Sequence, residues 1–398
     1  MLEIIINKEE NKKSIMLVEN GILVEKHEEH QDRQRIEGNI YCGKVANILE
    51  GMRSAFIDIG EKRNTFIRLK DLLPKQDEAK EETINLDNYK IKDIIKQNMK
   101  ILVQVKRDGT EKKGARVSTH INLPGRFIVF MPNSNFITIS QKIEDEKEKE
   151  RLKDIVKKIL PQNTGAIIRT SANHIDEQFI KEDLDILLKK WKEIKKDFDG
   201  YKLNGPKLIY DNKALLRRTL IDVVDQNLNR VIVNDKKTYK DVSDILKNMN
   251  MQENIQIELI ENKNLLEMYD LKKQLEKLES RKIWLKCGGF ITIDKTEALT
   301  AIDVNTGKFV GQKSLEDTVF KVNSEATVEI AKQLRLRDIG GIIIIDYIDM
   351  HIDKNKNEIV ELLQRALKKD RTKSQILGFT KLNLLEMTRK NMCNNDDY

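Results

Sequence analysis

Two aspartates late in the chain have the types and setting to hold a divalent metal ion. Asp303 closes the apolar run Ala298–Asp303, and Asp346 follows the run Ile342–Ile345. Two ionised carboxylates brought together repel unless a cation sits between them. With Asn305 beside them the donors are hard oxygens, which favours magnesium or manganese over zinc. An aspartate after a strand can also do no more than end it, and the residues alone leave both roles open. Arg169-Thr170, just past the apolar IIRTSA strand, pairs a guanidinium with a hydroxyl, a grip suited to a terminal phosphate. Arg-Thr dipeptides are also ordinary. Phe56 and Phe66 lie among Arg53, Lys62 and Arg63. Rings interleaved with cations stack bases and follow phosphates in single-strand binding, although a strand phenylalanine can equally be core.

These residues depend on the elements that carry them. Phe290–Asp294 and Ala298–Asp303 read as two short strands. From Ser314 to Leu336, Leu315, Val319, Val322, Ala326, Ile330 and Leu334 recur on one helical face, with Ser314 and Asp317 as a cap and Gly340-Gly341 as the stop. Ile342–Ile345 is a continuous apolar run, as expected for a strand covered on both faces. Strand, helix and buried strand together suggest a crossover that lays the two strands parallel, with Asp303 ending one and Asp346 the other at the same sheet edge.

Three blocks, EALTAIDVN, QLRLRDIGG and IIIIDYIDM, occur in this order and resemble the catalytic subdomain of the bacterial ribonuclease E/G family of endoribonucleases. The resemblance implies that Asp303 and Asp346 hold a catalytic magnesium, with manganese the alternative, and that Asn305 supports them. It further implies an α/β multidomain fold. An RNase H-like subdomain (residues 1–37 and 208–280) carries an inserted OB-fold RNA-binding domain (38–119) and a 5′-phosphate-sensing region (120–207). A DNase I-like catalytic subdomain (281–398) follows. On this pattern Phe56, Phe66 and Lys113 lie on the RNA path, and Arg169, Thr170 and the backbone near Gly125 take a 5′-monophosphate.

The rest of the chain agrees with that division. Leu2–Asn7, Ser14–Val18 and Ile22–Lys26 form a strand meander turning at Asn20-Gly21, too small to stand alone. Five strand candidates fit an OB barrel: Asn39–Leu49, Arg53–Ile59, Thr65–Leu69, Ile101–Lys106 and Ala115–Ile121. The charged stretch Lys75–Asp93 between them reads as a loop or short helix. Strands at Arg126–Met131, Phe136–Ser140 and Ala166–Arg169 alternate with helices at Glu144–Leu160 and Ile175–Phe198. The run KIEDEKEKERLKD reads as a solvated helix face. Arg230–Asn234 and Ile255–Leu259 read as strands, and Thr238–Asn248 and Leu265–Leu278 as helices.

Bulk properties exclude several classes. The chain has 398 residues, with 39% hydrophobic and 34% charged, and no apolar run reaches a membrane span. With no signal-peptide layout at MLEIIINKEENKK, the expectation is cytoplasmic. Net charge is +7, compatible with a polyanionic partner but also with a Lys-rich composition. HExxH is absent, and Gly307-Lys308 lacks the upstream glycine of a P-loop. Cys42, Cys287 and Cys393 have no paired spacing.

Two departures from the family pattern qualify the reading. Gln141-Lys142 follows Ser140 where some members carry Arg-Arg, which weakens the expected 5′-end recognition. The Cys-Pro-x-Cys zinc clasp of the family does not occur in these 398 residues, either because the protein lacks it or because a longer chain was trimmed; no zinc is expected of this chain, and any homodimer of it would be held without the clasp. The expectation is therefore a magnesium-dependent endoribonuclease acting on single-stranded RNA, with no small-molecule cofactor, leaving 5′-phosphate and 3′-hydroxyl ends and stimulated by a 5′-monophosphate. A non-catalytic RNA-binding scaffold of the same fold is the main rival, and a metal-dependent DNA phosphodiesterase the second.

Overall fold

Runs of β-branched residues broken by Gly, Asn and charged turns yield a chain rich in short strands. The computed structural model describes all residues except 31–35, 74–87, 110–112, 203, 225–227, 248, 250, 262, 279, 308–314, 369, 371 and 391–398. The chain forms two compact units: Met1–Asp32 with Leu228–Lys240 and Ile255–Tyr398, and Arg33–Asn227 with Asp241–Asn254.

The first unit opens with an antiparallel meander of β1 (Leu2–Lys8), β2 (Lys12–Glu19) and β3 (Ile22–His30). Asn20 and Gly21 both adopt positive φ, 51° and 77°, as a tight two-residue hairpin requires.

The second unit begins with a closed barrel. Its strands are β4 (Ile40–Leu49), β5 (Ser54–Asp58), β6 (Thr65–Arg68), β7 (Lys100–Arg107) and β8 (Arg116–Ser118). They run β4-β5-β6-β8-β7, and β7 returns to β4, so this five-stranded barrel is OB-like. The fifth strand stops at Ser118, short of the expected Ile121. Of the charged stretch expected between the third and fourth strands, residues 75–87 lie outside the described residues, and α1 (Ile91–Ile94) is a single turn.

A second, four-stranded sheet follows. It holds β9 (Leu123–Pro124), β10 (Ile128–Met131), β11 (Ile137–Ile139) and β12 (Gly165–Ile168). The strand expected from Arg126 starts later, at Ile128. Helices α2 (Glu146–Ile159) and α3 (Glu177–Gly200) cover this sheet with Leu152, Val156, Ile180 and Leu184. Glu148 corrects the reading of α2 as a purely solvated face: it is buried, held by Arg151 and by the His174 amide. Next, β13 (Lys207–Tyr210) pairs with β4, and α4 (Ala214–Val224) follows.

The first unit then resumes. β14 (Leu228–Val233) pairs parallel with β1, and β15 (Gln256–Leu259) parallel with β14, with α5 (Lys236–Lys247) between them in sequence. Five strands therefore run β15-β14-β1-β2-β3. The single helix expected over Leu265–Leu278 is two, α6 (Leu265–Met268) and α7 (Lys272–Leu278), because Asp270 takes φ 53° between them.

The last sheet carries the candidate site. Its strands are β16 (Lys282–Trp284), β17 (Phe290–Lys295), β18 (Leu299–Asn305), β19 (Gly341–Asp346), β20 (Ser374–Phe379) and β21 (Leu384–Arg389), in the order β16-β17-β18-β19-β21-β20. Helix α8 (Leu315–Leu336) makes the expected crossover between parallel β18 and β19, and α9 (Asp353–Leu367) packs beside it. The proposed cap residue Ser314 lies outside the described residues. The helix stop differs from the expected glycines. Asp338 adopts φ 47°, while the Asp338 and Ile339 amides bond back to Arg335 and Leu334, a Schellman ending. Buried Arg389 of β21 holds Asp338 in that conformation through a 3.1 Å bond.

Candidate active site and nucleic-acid interface

One face of this sheet is core and the other is open, a consequence of period-two alternation. Ile291, Ile302, Val304, Ile343, Ile345 and Leu385 point to the helices and are buried. The expectation that Ile342–Ile345 is covered on both faces fails: Ile342 is 48% exposed and Ile344 only half-buried. The open face is where Asp303 and Asp346 stand.

Asp303 and Asp346 are direct register partners across parallel β18 and β19. Adjacent strands lie about 4.8 Å apart, so the two carboxylates leave neighbouring Cα atoms on the same side. Asp303 does not end its strand, which continues to Asn305. That extension brings Asn305 to the same face, where its Nδ2 donates to Asp303 Oδ2 at 2.6 Å. Partial burial pushes the Asp346 carboxyl up from the ordinary carboxylate range, and the charges of Asp303 and Asp349 push it further the same way.

Helix α8 fixes the end of β19 from below. Asn323, fully buried, donates Nδ2 to Ile348 O at 2.8 Å and accepts from Ile348 N at 3.2 Å. Thr327 and Tyr347 share a hydroxyl bond of 2.9 Å, and burial pushes the Tyr347 phenol up. Sequence reading missed Asn323, whose only signal is an amide on an otherwise apolar helix face. After β18, Gly307 (φ 59°) lies so close to Gly288 O that a Cβ would meet it at 2.5 Å.

In the second unit, Arg169 and its neighbour Thr170 stand beside the Gly125 loop. Arg169 Nη1 donates to Gly125 O at 3.0 Å, and Thr170 Oγ1 shares a 2.8 Å bond with Ser140 Oγ. Two residues that sequence reading missed build this place. Asp183, buried on α3, accepts the amides of Arg126, Phe127 and Ile128 at 3.0, 2.8 and 3.1 Å. Burial pushes its carboxyl up, against those three donors. A Cβ on Gly125 would fall 2.5 Å from this carboxylate, so the loop needs glycine there. Asp222 of α4 accepts from Arg169 Nη2 at 2.6 Å. A carboxylate within the buried stripe of α3 was the available sequence signal for Asp183. Asp222 had none.

On the barrel, Phe56 and Phe66 are cross-strand partners with ring centroids 6.0 Å apart at 64°. Both are half-buried, while Ala55, Ile57 and Ile67 between them fill the core. The rings therefore stand on the outer face. Exposed Lys113 precedes Gly114, whose backbone closes on Asn64 O, and Phe66 N donates to Ala115 O at 2.8 Å.

No group of three or more His, Cys, Asp or Glu side chains suited to a metal occurs among the described residues. Two carboxylates with an amide oxygen beside them still fit a hard divalent ion, because magnesium keeps several waters and uses one or two protein carboxylates. Cys393 lies outside the described residues. No helix among them is long and apolar enough to cross a membrane.

Residues 122–392 match the model of the ribonuclease E/G family. This chain belongs to the ribonuclease E/G family. It is 37% identical to ribonuclease G of Salmonella typhimurium over 398 residues, covering 98% of this chain and 79% of the relative. Ribonuclease G of Escherichia coli K12 gives 37% over 394 residues with the same coverage. Ribonuclease E of a Nostoc species gives 35% over 358 residues, covering 89% of this chain and 51% of that protein. The family and these relatives make the protein an endoribonuclease of the ribonuclease E/G type.

Proposed function

We propose that the protein is a cytoplasmic, magnesium-dependent endoribonuclease that cuts single-stranded RNA within its chain and favours a 5′-monophosphorylated end. The observation that carries this reading is the direct register of Asp303 with Asp346, with Asn305 bonded to one of them, on an open sheet face. Asp303 and Asp346 would hold the ion, and Asn305, bonded to Asp303 Oδ2, would keep that carboxylate in place. Bound there, magnesium would lower the pKa of a water and neutralise charge on the scissile phosphate. In-line attack forms a phosphorus–oxygen bond from water and breaks the bond to the 3′ oxygen. The ends are then a 5′-phosphate and a 3′-hydroxyl.

In this reading Phe56 and Phe66 stack bases and Lys113 follows the backbone, supported by their outward placement on the barrel. Arg169, Thr170 and the Gly125 loop receive the 5′-phosphate. The five-stranded sheet with its parallel pair β1–β14 supports an RNase H-like assignment, and the last sheet a DNase I-like one.

Matched RNA and DNA oligonucleotides incubated with magnesium, followed by end analysis, test the proposal. RNA should be cut and DNA spared, and Asp303→Asn or Asp346→Asn should abolish cutting while RNA binding persists. Tight RNA binding without cutting by the wild type would make the protein a scaffold. Equal cutting of DNA would make it a general phosphodiesterase.

A further inference from the structure

The open face bearing Asp303 also bears an aromatic pair with a cation above it. Trp284 and Phe290 are register partners on β16 and β17, with ring centroids 5.4 Å apart at 61°. Lys282 Nζ stands 4.2 Å from the Trp284 centroid and 3.6 Å from that of Phe290. Trp284 is 58% exposed, a large ring left open to solvent. Tryptophan is enriched at interfaces, where its broad ring supplies contact area.

Strand register fixes where this pair stands relative to the carboxylates. Phe290 is the direct partner of Asn305, and Thr292 the partner of Asp303. Trp284 therefore lies two strand spacings, about 10 Å, from Asn305 on the same face. The platform is also rigid. The turn joining its two strands is closed by Leu285 N to Gly289 O at 2.8 Å, and α8 grips it where Glu325 accepts from Cys287 N at 2.9 Å. A Cβ on Gly289 would meet Asn305 O at 2.8 Å, so the turn is packed directly against the end of β18.

We propose that Trp284, with Phe290 behind it and Lys282 above, is a stacking subsite for a nucleobase of single-stranded RNA next to the phosphate being cut. The inference rests on the reading of Asp303 and Asp346 as the cutting site. A ring takes any base by its π face, and the ammonium serves the adjoining phosphate. The subsite thus holds the strand without reading its sequence, and fixes the reacting phosphate over the carboxylates. A cation and two rings beside an acidic pair suit a nucleic acid better than an apolar protein segment, which would leave Lys282 uncompensated.

The chain has two tryptophans, so Trp191→Phe leaves Trp284 as the sole indole emitter. With EDTA present, so that no divalent ion supports cutting, a single-stranded oligoribonucleotide should quench that emission in step with binding followed independently by anisotropy. In the otherwise natural protein, Trp284→Ala should raise KM for single-stranded RNA about 5- to 100-fold, as for loss of one stacked base. Trp284→Phe should restore most of it, and the melting temperature should not move, because the ring is exposed. The proposal is overturned if the oligonucleotide binds while Trp284 emission is unchanged, or if Trp284→Ala leaves KM as it was. Failure of the wild type to cut RNA at all would instead sink the assignment of the cutting site, whatever the emission does.

Discussion

Asn323 and Ile348 are joined by a closed pair of bonds, side-chain amide to main-chain carbonyl and main-chain amide to side-chain oxygen. Ile348 lies two residues past Asp346, so the helix that connects β18 to β19 also fastens the loop leaving the second carboxylate. Removing the amide with Asn323→Ala takes both partners from the N–H and C=O of half-buried Ile348, at a cost of about 1–3 kcal/mol. Cleavage should fall under conditions where the variant is still folded, although no group of the site has been changed. Urea midpoints and kcat measured side by side check this. Full activity in the destabilised variant would show that Asp346 keeps its place unaided.

Phe66→Ala should weaken binding of single-stranded RNA by about 1–3 kcal/mol, the usual contribution of one stacked base. Because the ring stands outside the barrel core, the melting temperature should change little. A large drop in melting temperature with binding lost in proportion would assign the ring to packing instead.

Arg169 spends one terminal nitrogen on Gly125 O and the other on Asp222. The guanidinium is thereby held as a fixed plane rather than a mobile charge. Asp222→Ala should reduce the preference for 5′-monophosphorylated over 5′-hydroxyl RNA severalfold, towards the value for Arg169→Ala. The ratio of kcat/KM on the two RNAs is the measurement. A larger preference in Asp222→Ala would mean that this carboxylate competes with the phosphate for the arginine.

Acid should loosen the second unit through Glu148. The Arg151 guanidinium, and with it the His174 amide, hold its carboxyl down to about 2, against an ordinary value of 4.5. A pKa lower in the folded than in the unfolded chain gives stability that is complete above about 4.5 and drains away as pH falls towards about 2. Glu148→Gln should be less stable than the natural protein near neutrality, with the gap closing across that window. Urea unfolding at several pH values between them provides the test.

The candidate site around Asp303 and Asp346 was legible because its signals are local. Each aspartate follows an apolar run, and the helix between them has unbroken periodicity, so strand, helix and parallel strand could be read in order. What escaped were partners set by tertiary packing. Asp183 and Asn323 are polar residues on buried helical faces, where the pattern predicts only apolar ones. The end of α8 was placed at the glycines because αL conformation favours them. Asp338 takes it instead, since Arg389, 51 residues later, supplies the compensating bonds. Trp284 and Phe290 share no spacing in sequence, and only the register of β16 with β17 makes them a pair.

The order β19-β21-β20 has a consequence for how the protein comes into being. The strand carrying Asp346 is flanked on one side by β18 and on the other by Leu384–Arg389, made some forty residues after it. During synthesis that side of β19 stays an unpaired edge until Arg389 has emerged, and the same arginine fastens the end of the crossover helix.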